Sequence, residues 1–375
     1  MKKMFVTLLA LSMAAGVFAN GSKETAPAQA AEEKPMTQEE IIAAAKQEGD
    51  LTIYTPSSRH SQMGEQFGAQ YGLKVTTTQL KDIEMVEKVS QEAKANLDGA
   101  DVVFAQDGAR VYPELIATGY VTSYTPDDLK SKIPAMYQNP QVWDLCVKAF
   151  VYNNETAGQP ITNVWQLTEP EWSGRVQMKD AYSEAVNMNF FTMITRDDWA
   201  KKISDAYKHL YGKDLVLDKD SPNAGYQWIK AMYKNGMVLG KSDTTIAENI
   251  GAKGQATQLV GLFTTNKLRN AASKNLALAP CYKVEPFSGF YYPIYCFIPS
   301  NSRSVNAAKL FIQYNLGPEG WKAFNKGIGD YSPNQDNVNQ FDPVSLEEWS
   351  NMLVFEDPAW CAEHRPEVEE FVSKL

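Results

Sequence analysis

Cysteine is scarce in this chain, histidine scarcer, and neither is spaced for metal or redox chemistry. The four cysteines are Cys146, Cys281, Cys296 and Cys361. No two of them make a Cys-x-x-Cys pair, which argues against zinc-ribbon and thioredoxin-type chemistry. The three histidines, His60, His209 and His364, are scattered; His209 falls in a Lys/Tyr-rich helical stretch and His364 near the C-terminal end. That pattern argues against a three-histidine metal centre. Basic charge is not in excess. Lysine and arginine number 36 against 45 acids, for a formal net charge of -9, so the concentrated basic stripe of a nucleic-acid binder is missing. There is no Gly-x-Ser-x-Gly elbow, no His-Glu-x-x-His and no P-loop. No catalytic residue and no cofactor are therefore expected, and the chain reads as something other than an enzyme. Past the N-terminus, no apolar run approaches the length that a membrane helix requires.

What is present begins at residue 1. Lys2 and Lys3 precede an apolar or small stretch from Met4 to Phe18, closed by Val17-Phe18-Ala19. This is the pattern of a cleavable secretory signal over 1–19. Its removal deepens the net charge from -9 to -11 by deleting two lysines. Asn20 and Gly21 stand where a lipoprotein would carry its lipidated cysteine, so a soluble, unlipidated product in an oxidising compartment is expected. Cys281 and Cys296 bracket a candidate turn between strands. They read either as a disulfide or, with the other two, as buried thiols.

Residues 20–36 are rich in Ala, Glu, Lys and Pro and read as a disordered tether. Order is expected from Thr37, which with Glu40 makes a capping box, and Gly49 ends that helix. A strand–helix rhythm follows. Strands are predicted at 51–54, 73–78 and 101–105, and helices at 61–71 and 82–95, the latter from the spacing of Met85, Val86, Val89 and Ala93. This alternation predicts an α/β fold with an open parallel sheet. Further strands are expected at 147–152, within 172–178, at 258–263 and at 293–299. Helices are expected at 187–194, 224–233 and 305–314. The remainder reads as mostly helical. The resulting scheme is a two-lobed clamshell hinged on two crossover strands. Residues 37–150 and 281–330 form a discontinuous first lobe, 151–280 the second, and 331–375 pack on the lobes. Ligands of open α/β sheets bind outside the carboxyl ends of the strands, and hinge closure would bury them.

Four stretches carry a resemblance. They are Leu51 to Val75; Asp101-Val102-Val103-Phe104 with Gln106-Asp107-Gly108; Trp165 to Val176; and Ser302 to Phe311 followed by Gly317-Pro318-Glu319-Gly320. In this order they resemble the bacterial extracellular solute-binding proteins that serve ABC importers for ferric iron, thiamine, phosphonate and hexose phosphates. The resemblance runs from about Leu51 to Ser332. It implies a type II periplasmic-binding fold and a monomeric periplasmic receptor. Such a receptor captures a small-molecule solute and delivers it to an ABC permease in the inner membrane, with no nucleic-acid partner.

Candidate ligand-binding residues sit at predicted strand ends. Ser57, Ser58, Arg59 and His60 follow the first strand. There two hydroxyls and a helix N-terminus make an anion cradle, and Arg59 adds a bidentate clamp; helix capping is the plainer role for the serines. Gln106 and Asp107 follow the third strand, where Asp107 either accepts from a ligand hydroxyl or caps a turn. Tyr182, Ser183 and Asn187 precede a predicted helix, with Lys179 close by. Thr264 and Thr265 are neutral hydrogen-bonding groups suited to an oxyanion or a sugar hydroxyl, or else a polar turn. Tyr291 is a further candidate in the return segment. Ser242-Asp243-Thr244 is either a third cleft loop or a helix cap. Ser, Thr and Asn in these loops favour a small polar or anionic organic solute, a phosphorylated sugar foremost. Ferric iron is the alternative. Iron binders of the resembling family often carry a histidine in the first loop and adjacent tyrosines after the second-lobe strand. Here Phe263-Thr264-Thr265 occupies that position, which leaves His60, Tyr291 and Tyr292 as the iron candidates. An enzyme on the same clamshell is the second alternative.

Overall fold

The structure is a computed structural model that describes residues 36–155 and 158–375. The predicted signal at 1–19 and all of the tether except Met36 lie outside the described residues. The first helix, α1 (Gln38–Glu48), starts one residue after Thr37 and ends where Gly49, at φ +93°, turns into the left-handed region.

Among the described residues, twelve strands form one mixed sheet. They are β1 (Leu51–Thr55), β2 (Val75–Gln79), β3 (Val102–Ala105), β4 (Val121–Ser123), β5 (Val142–Tyr152), β6 (Val176–Lys179), β7 (Val238–Gly240), β8 (Val260–Thr264), β9 (Ala279–Pro280), β10 (Gly289–Pro299), β11 (Asp330–Tyr331) and β12 (Leu353–Phe355). The main path runs β2-β1-β3-β10-β5-β8-β6-β7. β1 is parallel to β2 and β3, and β6 is parallel to β7 and β8. Between these two parallel sets lie β10 and β5, antiparallel to each other and to their outer neighbours. The parallel sheet expected from the alternation is thus present in two blocks, joined by two long antiparallel strands.

β5 and β10 each run 11 residues and are buried along their whole length. Both begin earlier than the sequence suggests, at Val142 rather than 147 and at Gly289 rather than 293. A strand covered on both faces shows no alternation, and polar Asp144 inside it disguises the start. The two strands approach closely at Gly289. A Cβ there would stand 2.1 Å from the Lys148 carbonyl oxygen, and its φ of +151° suits glycine alone.

The helices after α1 are α2 (Arg59–Tyr71), α3 (Asp82–Ala95), α4 (Gly108–Val111), α5 (Ala185–Ile194), α6 (Asp197–Tyr211), α7 (Ala224–Lys234), α8 (Asp243–Gly251), α9 (Val305–Leu316), α10 (Pro318–Phe324), α11 (Leu346–Ser350) and α12 (Pro358–Val372). The region after 331 is less helical than expected. It inserts β12 beside β10 and ends in α12, which packs on both α4 and α5. The packing anchors Trp321, Phe324 and Trp349 are buried. Each such side chain withdrawn from water contributes roughly 1.5–3 kcal/mol.

All four cysteines are free and buried. Cys281 and Cys296 do not pair: Cys296 lies on β10 beside Phe104 of β3, and Cys281 donates its backbone N–H to the Phe150 carbonyl. Among the described residues no helix is long and apolar enough to cross a membrane.

Candidate ligand cavity

The six strands of the two parallel blocks deliver their carboxyl ends to one cavity of about 530 Å³. β1 contributes Ser57, Ser58 and Arg59; β2 contributes Asp82; β3 contributes Gln106. From the other block, β6 contributes Lys179, Ser183 and Glu184, β7 contributes Ser242, Asp243 and Thr244, and β8 contributes Thr264, Lys267 and Arg269. Cys146 of β5 and Tyr292 of β10, directly paired across the two strands, also line it. The loops after the strands are polar because nothing packs over them, and strand direction alone aims them at one place.

The charges fall into two classes. Arg59 donates to Asp330 Oδ2 at 2.6 Å and to the Phe324 carbonyl at 3.3 Å, and its guanidinium lies 3.6 Å from the Phe324 ring centroid. Behind Asp330 is Asp144, fully buried. Burial first, then Asp330, drive its carboxyl well above the usual carboxylate range. Asp144, Cys146 and Asp330 offer ligand atoms within 4.8 Å of one another. Arg59 already pairs with Asp330 there, and burial disfavours the charge on Asp144. Lys148 is buried on β5 and reaches Glu184 at 3.0 Å, Asn187 at 3.0 Å and Asp243 at 3.6 Å. Burial opposes its charge, yet Asp243 and Glu184 more than offset this, so its pKa is pushed up to about 12. Asp243 in turn accepts from the Thr264 hydroxyl at 2.9 Å. Lys179 pairs with Glu184.

Lys267 and Arg269 differ. Among the described residues neither has a carboxylate within ion-pair distance, and both are half-buried on the cavity wall. Arg269 donates only to the Asn266 carbonyl and amide oxygens, at 2.6 and 3.2 Å. The pKa of Lys267 is depressed by burial and by Arg269 and Arg59, against the pull of Asp243; that of Arg269 is depressed by burial and by Arg59. A third feature is Asp82 at the start of α3. It accepts from Gln106 Nε2 at 3.0 Å. Burial, then the nearby Glu184, push its carboxyl up to about 7.

Of the residues proposed from sequence, Ser57, Ser58, Arg59, Gln106, Ser183 and Thr264 line this cavity. Ser57 Oγ accepts from the Arg59 backbone N–H, whereas Ser58 makes no capping bond. The other six lie elsewhere. His60 is buried, stacked 4.1 Å from Phe104 and bonded through Nδ1 to Thr55 Oγ1 at 2.5 Å; burial and Arg59 keep it neutral. Asp107 is held by Arg365 of α12 at 2.9 Å. Tyr182 turns outward and donates to the Glu369 carbonyl at 2.6 Å. Asn187 is committed to Lys148 and to the Lys179 carbonyl. Thr265 is buried and donates to the Val147 carbonyl. Tyr291 stacks on Phe355, 4.6 Å away.

The set named for ferric iron is not brought together. Tyr291 and Tyr292 point to opposite faces of β10, and His60 is in the core. Burial, reinforced by Cys146 and Glu184, pushes the Tyr292 phenol well above its ordinary pKa, so its phenolate is disfavoured. Sequence reasoning passed over Lys267, Arg269 and Asp82. The only signal for the first two was a pair of cations, two residues apart, just beyond the Thr264-Thr265-Asn266 strand end.

Comparisons with known proteins agree with this geometry. A sequence model of the bacterial extracellular solute-binding protein family matches residues 62–352. Iron-bound HitA from Pseudomonas aeruginosa superposes with a TM-score of 0.64 at 15% identity, covering 87% of this chain and 99% of that one. AfuA from Actinobacillus pleuropneumoniae, with fructose-6-phosphate bound, gives 0.64 at 17% identity over 87% and 98%. AgtB from A. tumefaciens, in complex with agropinic acid, gives 0.62 at 14% identity over 87% and 99%. At these identities the likeness is one of fold, the two-lobed type II periplasmic-binding clamshell.

Proposed function

This chain belongs to the bacterial extracellular solute-binding proteins, and from that premise we propose that it is the periplasmic receptor of an ABC importer for an anionic organic solute, a phosphorylated sugar foremost. The observation that carries this reading is the pair Lys267 and Arg269. A half-buried cation without a carboxylate partner costs free energy that a bound anion recovers. Neutral donors suited to a sugar or an ester oxygen, Ser58 among them, line the same cavity. The bound fructose-6-phosphate of AfuA and the agropinic acid of AgtB show that this fold accommodates organic anions. The solute is captured and released unchanged to the permease. The receptor acts as a monomer.

The test is a thermal-shift screen with hexose phosphates, phosphonates, thiamine and ferric citrate. A ligand at 100-fold its Kd adds about 2.7 kcal/mol of stability, readily seen as a rise in Tm. The expected result is a rise with a hexose phosphate that is lost in Lys267→Gln. A rise with ferric citrate alone, accompanied by visible colour, would overturn the reading in favour of iron.

A further inference from the structure

The cavity has a second pole. Asp82 follows β2, at one edge of the sheet path, whereas Lys267 and Arg269 follow β8, in the other parallel block. The groups that face it are Gln106 and Asp107 beyond β3, and Lys179 and Glu184 around the start of α5. Lys179 gives its ammonium to Glu184. Asp82 therefore has an amide donor, Gln106, and no ion-pair partner among the described residues. Among the described residues none donates a hydrogen bond to its second oxygen, although Asp82 borders the cavity.

A carboxylate so placed rejects one kind of anion and accepts another. Bare phosphate brings negative charge and few donors, so beside the Asp82 carboxylate, which has no ion-pair partner among the described residues, it is repelled. A phosphorylated polyol can leave its phosphate at Lys267 and Arg269 and turn a hydroxyl, a donor, toward the Asp82 oxygen. Selectivity of this type comes from a repulsive element against one ligand joined to a hydrogen bond for the other. Resting on the anionic-solute reading above, we propose that Asp82 is the specificity-determining residue that selects a hydroxyl-bearing phosphate ester over inorganic phosphate.

The experiment is calorimetric titration of the full chain, as wild type, Asp82→Ala and Asp82→Asn, with glucose 6-phosphate and with inorganic phosphate at pH 8. Circular dichroism first establishes that the variants fold. The expected result is a loss of about tenfold or more in glucose 6-phosphate affinity for Asp82→Ala, the size of one hydrogen bond to a charged group. Inorganic phosphate should bind that variant as well as it binds wild type, or better. Asp82→Asn, which keeps an acceptor oxygen without the charge, should fall between the two for the ester. A general distortion of the cavity would weaken both probes together, so the ratio of the two affinities is the readout. If wild type binds both probes and the ratio is unmoved in Asp82→Ala, this inference is overturned while the anionic-solute reading stands. If wild type binds neither probe, the anionic-solute reading falls and takes this inference with it.

Discussion

Two kinds of cation stand at, or just behind, the wall of one cavity. Arg59, Lys148 and Lys179 each touch a carboxylate, whereas Lys267 and Arg269 touch only neutral groups or none. The first kind is structural. Lys148 joins the starts of α5 and α8 through Glu184 and Asp243, and Arg59 ties the loop after β1 to Asp330 in the β11 segment. The second kind has nothing in the protein to complete it, and its electrostatic strain shows in the depressed pKa values of both groups. On the proposed reading, compensation marks groups that build the wall, and Lys267 and Arg269, which lack it, are the groups kept for the solute.

The largest effect expected from this contrast is at Lys148. Lys148→Met would strand Glu184 and Asp243 beside each other with a single remaining cation, Lys179. Removing one partner of a buried pair typically destabilises by about 3–5 kcal/mol, so urea unfolding should show a loss of that order. Adding Glu184→Gln and Asp243→Asn to the same variant should recover most of it. Failure to recover would mean that Lys148 acts by packing rather than by charge, and the contrast would lose its first half.

At Lys267 and Arg269 the expected sign on stability is reversed. The double variant Lys267→Gln, Arg269→Gln removes two half-buried charges that repel each other and Arg59. Its stability should match wild type within about 0.5 kcal/mol or exceed it. Affinity for glucose 6-phosphate should nonetheless fall by roughly 10- to 100-fold, the range for lost hydrogen bonds to a charged group. Loss of stability comparable to that of Lys148→Met would erase the distinction between the two classes.

The sequence already carried much of the fold and about half of the proposed wall. Helix periodicity at Met85, Val86 and Val89 and the apolar run ending at Ala105 are local signals, and α3 and β3 fall where those signals put them. Ser57, Ser58 and Thr264 were legible because a hydroxyl just past a parallel strand has few places to go except the strand-end crevice. Tyr291 and Tyr292 were not separable. In a strand buried on both faces the pattern carries no phase, so only the register with β5 decides which tyrosine looks into the cavity. His60 misled for a related reason. It sits one residue past Arg59 at the helix start, and a turn of about 100° sends it into the core between Phe104 and Trp143. Lys267 and Arg269 were passed over because the absence of a partner is a fact of three dimensions. Asp82 was read only as the start of a helix, a position where acids are common.

Asp82 gives the smallest and most specific test, because it is an acid on the cavity wall with no ion-pair partner among the described residues. Its carboxyl is raised from 3.8 to about 7, chiefly by burial and by Glu184. Between those values the folded protein holds a proton that the unfolded chain has released, so the contribution of this group to stability falls as pH rises from about 4 to about 7 and is level above. Asp82→Asn, which cannot ionise, lacks that slope. Buried Asp144 and Glu356, also driven upward by desolvation, add slopes of the same sign to both proteins, and these cancel in the difference. Urea midpoints of wild type and Asp82→Asn should therefore lie closest near pH 4 and diverge in favour of the variant up to pH 8. A difference that stays constant over this range would place Asp82 among the ordinary solvated acids. The second pole of the cavity would then rest on Glu184, whose charge Lys148 and Lys179 already meet.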